Sequence, residues 1–384
     1  MSRYSPTGRS TGIPAQEPEA AVRRMGWWAV CIIDRPAVFS SLRKRGQDMS
    51  AAREPTITRK TARPSTGAVE FHPHAYPEMS RRLGAALFRQ RLHEQVYHEA
   101  GVTHQEDFFR WVDQYVDFDQ LVSRIVRLAG CFDWGYRNFK DIRIVEHRLH
   151  HPRLPRGLDG FRLLQLSDIH LDLDPSIIGV IAEKLAGLDY DLAVITGDFR
   201  NTSLADHEPS VRETLSLLPA IKAPIYGVLG NHDFIEIVPP LEAGGMRFLL
   251  NEVCDIHYNG ASFALAGVDD AHFYKTHDLA RVREAIPDEA FSILLCHTPE
   301  TYRQVAAHGF DVMLSGHTHG GQICPPGGWI LLRVCDAPRR MLKGPWTFRN
   351  LVGYTSAGTG SCGVPLRFFC PPEITVHILC AERP

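Results

Sequence analysis

The chain has 384 residues, of which 44% are hydrophobic and 22% are charged, and its 42 basic and 44 acidic side chains leave a net charge of −2. This balance is typical of a globular protein and excludes a disordered, collagenous or coiled-coil chain. The near-neutral charge provides no overall basic surface, so we expect no nucleic-acid partner.

The cysteines and apolar runs indicate the compartment. Nine cysteines are scattered without a C-x-x-C pair, which predicts mostly reduced thiols. No apolar run approaches the ~20 residues of a membrane-spanning helix. Arg23 and Arg24 precede an apolar stretch that Asp34 and Arg35 end after about eight residues, too few for an export signal. We therefore expect a cytoplasmic protein, with peripheral contact at the inner face of the membrane as the alternative.

The first part of the chain is basic and lacks periodicity. Residues 1–70 contain twelve Arg or Lys and six Asp or Glu, interspersed with Pro, Ser, Thr and Gly. This composition predicts a disordered basic extension over residues 1–78. Met49 and Met79 are alternative starts of the chain, a choice that the sequence leaves open.

Residues 79–150 are predicted as a helical module. Apolar residues recur at helical spacing from Met79, with Arg81, Arg82, Arg89 and Arg91 nearer the opposite side, and a second such stretch spans about 105–129. One interpretation is a helical hairpin that packs on the main domain. The other is an amphipathic module, over 79–129, that lies on a membrane surface or cradles an acyl chain.

Residues 151–384 alternate short apolar runs with helical segments, which predicts an α/β layered domain. The predicted strands lie at 161–166, 192–195, 225–229, 263–266, 291–296, 312–314 and 374–379. The predicted helices lie at 177–185, 207–218, 279–286 and 301–307. Ligands of such sheets bind at the carboxyl ends of the strands.

Polar residues follow five of these strands. They are Asp168, His170, Asp198, Asn231, His297, His317 and His319. Most of these positions alone are more typical of a turn or a sheet edge than of a ligand, whereas His317 and His319 are equally typical of either. Together, seven oxygen or imidazole ligands without a thiolate favour Mn²⁺, Fe or Zn²⁺ and argue against a structural zinc site built from cysteine. Seven are too many for one tetrahedral ion and suit two ions, which would activate a water and stabilise charge on a phosphoryl group. By contrast, Asp269, Asp270 and His272 are interpreted as a turn.

The ordered set Asp-x-His, Gly-Asp-x-x-Asn, Gly-Asn-His-Asp, His and Gly-His-Thr-His, within residues 160–380, resembles the motif series of the calcineurin-like metallophosphoesterases. The resemblance implies an α/β fold, a four-layer αββα sandwich, here with an N-terminal helical extension. It implies two divalent metal ions (Mn, Fe or Zn) that activate a hydroxide. The first ion would be held by Asp168, His170 and His319, the second by Asn231, His297 and His317, and Asp198 would bridge them.

The same resemblance implies two catalytic residues. His232 would face the scissile phosphate as general acid or transition-state stabiliser, and Asp233 would orient its ring. The flanking segments 159–162, 320–323 and 365–374 are similar to a bacterial phosphodiesterase branch that acts at membranes.

Three functions remain as alternatives. The first is a phosphodiesterase or pyrophosphohydrolase that acts on a lipid-linked or nucleotide substrate. The second is a phosphatase for protein or small-molecule monoesters. Such an enzyme is expected to have extra cationic side chains in the motif loops, and Arg200 is the only basic residue adjacent to a ligand there. The third is a non-catalytic, metal-stabilised scaffold whose helical hairpin recruits a partner.

The loops are expected to set the specificity, notably 199–209, 234–246 and 322–346. The last contains several apolar and basic residues: Trp329, Leu331, Leu332, Trp346, Arg333, Arg339, Arg340 and Lys343. They form either a hairpin that packs its own apolar residues or an amphipathic rim for a lipid phosphate.

Overall fold

A computed structural model describes residues 76–99, 118–201 and 206–381. These residues belong to a compact unit, His72–Pro384, whereas the unit Met1–Phe71 lies outside the described residues. The predicted basic extension, 1–78, thus falls almost wholly outside them, as do residues 100–117 of the predicted helical module.

The first of two six-stranded sheets has the strand order β1-β12-β2-β3-β4-β5. Strands β2 to β5 are parallel neighbours, and β12 runs antiparallel to β2 and parallel to β1. The strands are β1 Arg143–His150, β2 Arg162–Leu166, β3 Leu192–Thr196, β4 Ile225–Val228, β5 Met246–Phe248 and β12 Glu373–Cys380.

The second sheet has the order β10-β11-β9-β8-β7-β6. Strands β7, β8, β9 and β11 are parallel, and β6 and β10 are antiparallel edges. The strands are β6 Glu252–Tyr258, β7 Ala261–Gly267, β8 Ser292–Leu295, β9 Val312–Ser315, β10 Gly344–Phe348 and β11 Leu351–Thr355. The predicted strands are all present, and β1, β5, β6, β10 and β11 are additional.

The described residues also contain nine α-helices, and those that contribute to the two outer hydrophobic cores cover the outer faces of the sheets. The nine helices are α1 Tyr76–Leu83, α2 Ala85–Glu99, α3 Phe118–Leu128, α4 Phe132–Lys140, α5 Ile177–Ala186, α6 Glu208–Leu217, α7 Val238–Ala243, α8 Leu279–Glu284 and α9 Tyr302–Ala307. None of these described helices combines the length and apolar content needed to cross a membrane.

Three hydrophobic cores give the four layers. The central core joins the inner faces of both sheets, for example Val194 of β3 and Ile293 of β8. Ile181 of α5 belongs to an outer core on the first sheet, and Val305 of α9 belongs to one on the second. Burying such a side chain stabilises the fold by about 1.5–3 kcal/mol. The predicted αββα sandwich is therefore confirmed.

Helices α1 and α2, from the first of the two predicted helical stretches, pack on the sandwich. Met79, Leu83 and Phe88 lie in the outer core of the first sheet. Arg82 forms ion pairs with Glu242 and Glu252 at 3.0 and 2.8 Å. Helix α3, in contrast, leaves its apolar residues Leu121, Ile125 and Leu128 exposed.

Strand β1 lies within the range that was predicted as a helical module. Its eight residues pair in register with β12, from Arg143 opposite Glu373 to His150 opposite Cys380. This edge strand depends on a partner at the other end of the domain, so no local pattern marks it. The sandwich therefore begins before residue 151.

Candidate metal centre

The candidate ligands lie where parallel strands end. Leu166 of β2 pairs with Ile195 of β3, which in turn pairs with Gly227 of β4, so the carboxyl ends of these strands are aligned. The loops that follow β2, β3 and β4 carry Asp168 and His170, Asp198, and Asn231 respectively. Strands β8 and β9 of the second sheet end before His297, and before His317 and His319. Two separate sheets thus supply side chains to one edge of the sandwich.

The first group of ligands is Asp168, His170, Asp198 and His319. The Nε2 atoms of His170 and His319 are 3.3 Å apart, and Asp168 Oδ1 is 3.4 Å from His319 Nε2. The Nδ1–H of His170 donates to the carbonyl oxygen of Arg200 at 2.5 Å, which orients the ring so that its Nε2 atom faces the group. A carboxylate and imidazole lone pairs that meet at this spacing fit a divalent cation.

The second group comprises Asp198, Asn231, His297 and His317. Asp198 Oδ2 is 3.2 Å from His297 Nε2. Asn231 Oδ1 is 3.1 Å from His297 Nε2 and 2.7 Å from His317 Nδ1. His297 also donates its Nδ1–H to the carbonyl oxygen of Thr196 at 2.7 Å, which fixes the ring. Asp198 is common to the two groups, and the donors are of the types that Mn²⁺, Fe and Zn²⁺ accept.

Five candidate ligands have a left-handed backbone, which is uncommon for residues other than glycine. Their φ angles are 50° at Asp168, 38° at His170, 57° at Asp198, 69° at His317 and 49° at His319. Such conformations cost on the order of 1–3 kcal/mol each and concentrate at functional sites. The surrounding fold therefore imposes these backbone conformations on the ligands.

The loops also approach one another closely. A Cβ atom at Gly230, the residue before Asn231, would lie 2.2 Å from Asp198 Oδ1. A Cβ atom at Gly316, the residue before His317, would lie 1.8 Å from Ser167 Oγ. Glycine at Gly230 lets two loops of the first sheet approach each other, and glycine at Gly316 lets a loop of the second sheet approach the first.

Electrostatics differ between the ligands. Burial lowers the pKa values of His317 and His319 well below the usual value, so both rings are neutral, the form that binds metals. Burial alone would lower the pKa of His297, but Asp198 raises it to about 10. Burial alone would likewise raise the pKa of Asp198, but His297 and His232 hold it well below its usual value.

The chain is similar in sequence to one known family of proteins. A family model described as calcineurin-like phosphoesterase matches residues 161–321. The Bacillus subtilis metallophosphoesterase YkuE, itself uncharacterised, is 30% identical over 68% of this chain and 94% of its own length. The chain is a calcineurin-like metallophosphoesterase.

Two further proteins are similar to this metallophosphoesterase. The uncharacterised protein YpbG of Bacillus subtilis is 32% identical over 59% of this chain and 84% of its own length. A zebrafish (Danio rerio) transmembrane protein with a metallophosphoesterase domain is 27% identical over 68% of this chain and 63% of its own length.

His232 lies beside Asp198 in this metallophosphoesterase. Its backbone N–H donates to Asp198 Oδ1 at 3.0 Å, and its Nε2 is 3.9 Å from Asp198 Oδ2. The side chain is 25% exposed, and burial lowers its pKa to about 4. The ring is therefore neutral at pH 7 and can donate one ring N–H to an approaching oxygen.

Asp233 does not orient the His232 ring, so the prediction of a contact between these two side chains is wrong. Asp233 Oδ1 accepts the backbone N–H groups of Phe199 and Arg200, and Oδ2 accepts those of Asp198 and Gly230. The Nδ1 atom of His232 has no hydrogen-bond partner among the described residues. Burial is the main cause that raises the pKa of Asp233 to about 6, and the nearby Asp198 carboxylate adds to it, whereas the backbone N–H donors lower it. Its side chain thus ties the loop after β3 to the loop after β4.

The turn after β7 holds no further metal group among the described residues. Asp270 accepts the backbone N–H groups of His272, Phe273 and Tyr274, as expected for a turn. Asp269 instead pairs with Arg91 at 2.6 Å.

Two residues near the site were not predicted from the sequence. The Sγ atom of Cys362 lies within 4.8 Å of ligand atoms of His170 and His319, and 3.8 Å from His232 Nε2. Arg91, assigned to the polar side of its helix, is fully buried and donates to the carbonyl oxygen of Asp233 at 2.9 Å. Neither belongs to a strand-end motif, and only the order Gly-Ser-Cys-Gly in the loop before β12 marks the position of Cys362.

Proposed function

We propose that this metallophosphoesterase uses two divalent ions to hydrolyse a phosphodiester or diphosphate bond in a lipid-linked or nucleotide substrate. The observation that carries the proposal is the position of Asp198. Its carboxylate belongs to two ligand groups, one with Asp168 and His170 and one with His297 and His317. One carboxylate shared by two groups is what a pair of ions requires.

The ions, Mn²⁺, Fe or Zn²⁺, would be held by the residues of the two groups. Asp168, His170 and His319 would hold the first ion, Asn231, His297 and His317 the second, and Asp198 both. When bound, such a pair lowers the pKa of a water and neutralises charge that develops on the phosphoryl oxygens. His232 would donate its ring N–H to a phosphoryl or leaving-group oxygen.

The surroundings of Arg200 favour a diester or diphosphate over a monoester. Its side chain is fully buried, and its guanidinium lies 3.6 Å from the ring centroid of Phe234. Its Nη1 donates to the carbonyl oxygen of His232 at 3.3 Å. This cation therefore supports the loops and does not reach out to a monoester dianion.

The loop 322–346 favours a substrate or surface with an apolar part. Trp329 is 73% exposed, Leu332 48% and Val334 50%, so these residues do not pack against one another as a closed hairpin would require. Trp346, in contrast, is buried in β10. The carbonyl oxygen of Val334 lies 3.5 Å from His317 Nε2, which places the exposed apolar loop beside the candidate centre.

Basic side chains accompany this loop. Arg333, Arg339 and Arg340 are exposed. Apolar and aromatic residues next to cations suit a lipid phosphate, whose head group is anionic and whose tail is apolar. The same arrangement supports a peripheral contact with a membrane surface.

The test is a comparison of three substrates with the full chain, reconstituted with Mn²⁺ or Zn²⁺. These are bis-p-nitrophenyl phosphate, p-nitrophenyl phosphate and a UDP-linked lipid. We expect turnover of the diester and of the diphosphate-linked lipid, with kcat/KM well above that for the monoester. Preference for the monoester would favour the phosphatase alternative, and no turnover of any of them would favour a metal-stabilised scaffold.

A further inference from the structure

A buried arginine connects the N-terminal helices to the loop of His232. Arg91 of α2 is fully buried, and its Nη1 donates to Asp269 Oδ1 at 2.6 Å. Its Nη2 donates to the carbonyl oxygen of Asp233 at 2.9 Å. The guanidinium carbon lies 4.0 Å from the ring centroid of Tyr274.

The same helices hold the residues that follow Asp233. The backbone N–H of Ile235 donates to Gln95 Oε1 at 3.2 Å, and Gln95 Nε2 donates to Glu236 Oε2 at 2.6 Å. The hydroxyl of Tyr76 donates to the other oxygen of Glu236 at 2.8 Å. The loop after His232 is therefore fixed from outside by α1 and α2, and from inside by the Asp233 carboxylate.

If Arg91 served only to pack the helices on the sandwich, a buried ion pair would be a costly way to do so. Moving a guanidinium and a carboxylate out of water costs several kcal/mol for each ion, and well-packed apolar residues often give equal or greater stability. The planar guanidinium can donate in two directions at once, whereas an ammonium group acts as a compact point charge. Here one direction is the ion pair with Asp269 and the other is the backbone beside His232.

We propose that Arg91 is a positioning residue for His232, holding the loop from Asp233 onwards so that the imidazole stays beside Asp198. The helices before the sandwich then act on catalysis, although they lie outside the region matched by the family model, 161–321. This inference rests on the proposed function, because it requires His232 to act on the substrate.

Arg91→Lys tests the proposal, because lysine keeps the charge opposite Asp269 and loses the fork that reaches Asp233. The matched control is Arg82→Lys, since Arg82 also joins the helices to the sandwich through Glu242 and Glu252 but does not contact the His232 loop. We expect R91K to retain bound metal and KM, and to lose on the order of 10²-fold in kcat, which is the effect of a small misplacement of a catalytic group. R82K should stay within about threefold, because it leaves that loop untouched.

A double-mutant cycle separates positioning from a general structural role. In the His232→Ala background, R91K should change kcat by less than about threefold, because residues that act through one another are not additive. Gln95→Leu is a second variant, which removes no buried charge and keeps the proposal testable if R91K does not fold. It should show the same pattern as R91K.

The outcomes distinguish the two proposals. Wild-type kcat in R91K and Q95L, or an equal loss with and without His232, would overturn the role of Arg91 and leave the proposed function intact. A metal-loaded parent protein that hydrolyses none of the three substrates would overturn both.

Discussion

Asp198 Oδ2 lies 3.2 Å from His297 Nε2, although Asp198 follows a strand of the first sheet and His297 follows a strand of the second. The Asp198 carboxylate of the first sheet therefore contacts a candidate ligand of the second sheet directly. Because that carboxylate belongs to two ligand groups, it controls both candidate ion positions.

Asp198→Asn should remove both metal ions. The amide of asparagine carries no charge and cannot bridge two cations as a carboxylate does. The metal content should therefore fall from about two ions per chain to below one. Elemental analysis after reconstitution and desalting measures it. Asp255→Asn, at an exposed position on β6, is the control and should keep the metal content of the parent. Two ions retained in D198N would exclude a bridging role.

His232→Ala should retain the metal and lose activity. A positioned acid–base group contributes on the order of 10²–10⁴ in rate, so kcat for the diester should fall by that factor while the metal content stays unchanged. His257→Ala, on the exposed face of β6, is the matched control. Equal activity of the two variants would show that His232 does not act on the substrate.

Metal affinity should increase with pH because of His297. Its pKa is raised to about 10, so the ring is protonated at pH 7 and must lose this proton to bind an ion. The apparent affinity should therefore rise by up to about tenfold per pH unit between pH 7 and 9, with the release of about one proton. Calorimetry in buffers of different ionisation enthalpy measures the proton. Replacing His297 with glutamine should abolish the release, and an affinity independent of pH in the parent would contradict the prediction.

Asp233→Asn should destabilise the fold. The carboxylate, ionised at pH 8 because its pKa is about 6, accepts four backbone N–H groups. The amide retains one acceptor oxygen, and unsatisfied buried donors cost about 1–3 kcal/mol, so the free energy of unfolding should fall by about 2–3 kcal/mol. Urea denaturation of the metal-free protein at pH 8 measures it. Asp288→Asn removes a carboxylate with a 98% exposed side chain, and it should change the stability by less than about 1 kcal/mol.

Trp329→Ser should weaken the hydrolysis of a lipid-linked substrate selectively. A large apolar side chain contributes about 1.5–3 kcal/mol when fully buried, so partial burial against a lipid tail corresponds to roughly tenfold in kcat/KM. The small diester lacks a tail and should be hydrolysed at the parent rate. Leu128→Ser, at a 90% exposed position on α3, controls for the loss of an exposed apolar side chain. An equal effect on both substrates would reject a lipid-binding role for the loop.

The sequence was most informative where chemistry is local to a strand end. Asp168, Asp198 and His297 each follow a buried apolar run within two or three residues, and parallel strands bring such positions to one edge without further information. The same runs predicted an α/β layered domain, and the resemblance to the calcineurin-like metallophosphoesterases implied the four-layer sandwich.

The misses have a different physical origin. Arg91 was assigned to the polar side of a helix from the spacing of the apolar residues. Arginine is seldom fully buried, and here its pairing with Asp269 across the fold accompanies the burial. Cys362 lies in a loop without a motif. Asp233 was expected to touch its neighbour His232, yet its side chain turns inward to the backbone. The short strand β5 and the edge strand β1 depend on distant partners that no local pattern reveals.

The left-handed backbone at five candidate ligands has a consequence for protein engineering. Glycine adopts that conformation without the steric cost of a side chain. Replacing Asp168 or His317 with glycine would therefore relieve backbone strain, but it would also remove a candidate metal ligand. In this molecule, selection for heat resistance alone would therefore not preserve the strained backbone of these residues. A thermostable and active form must be sought at positions remote from the edge where the two sheets meet.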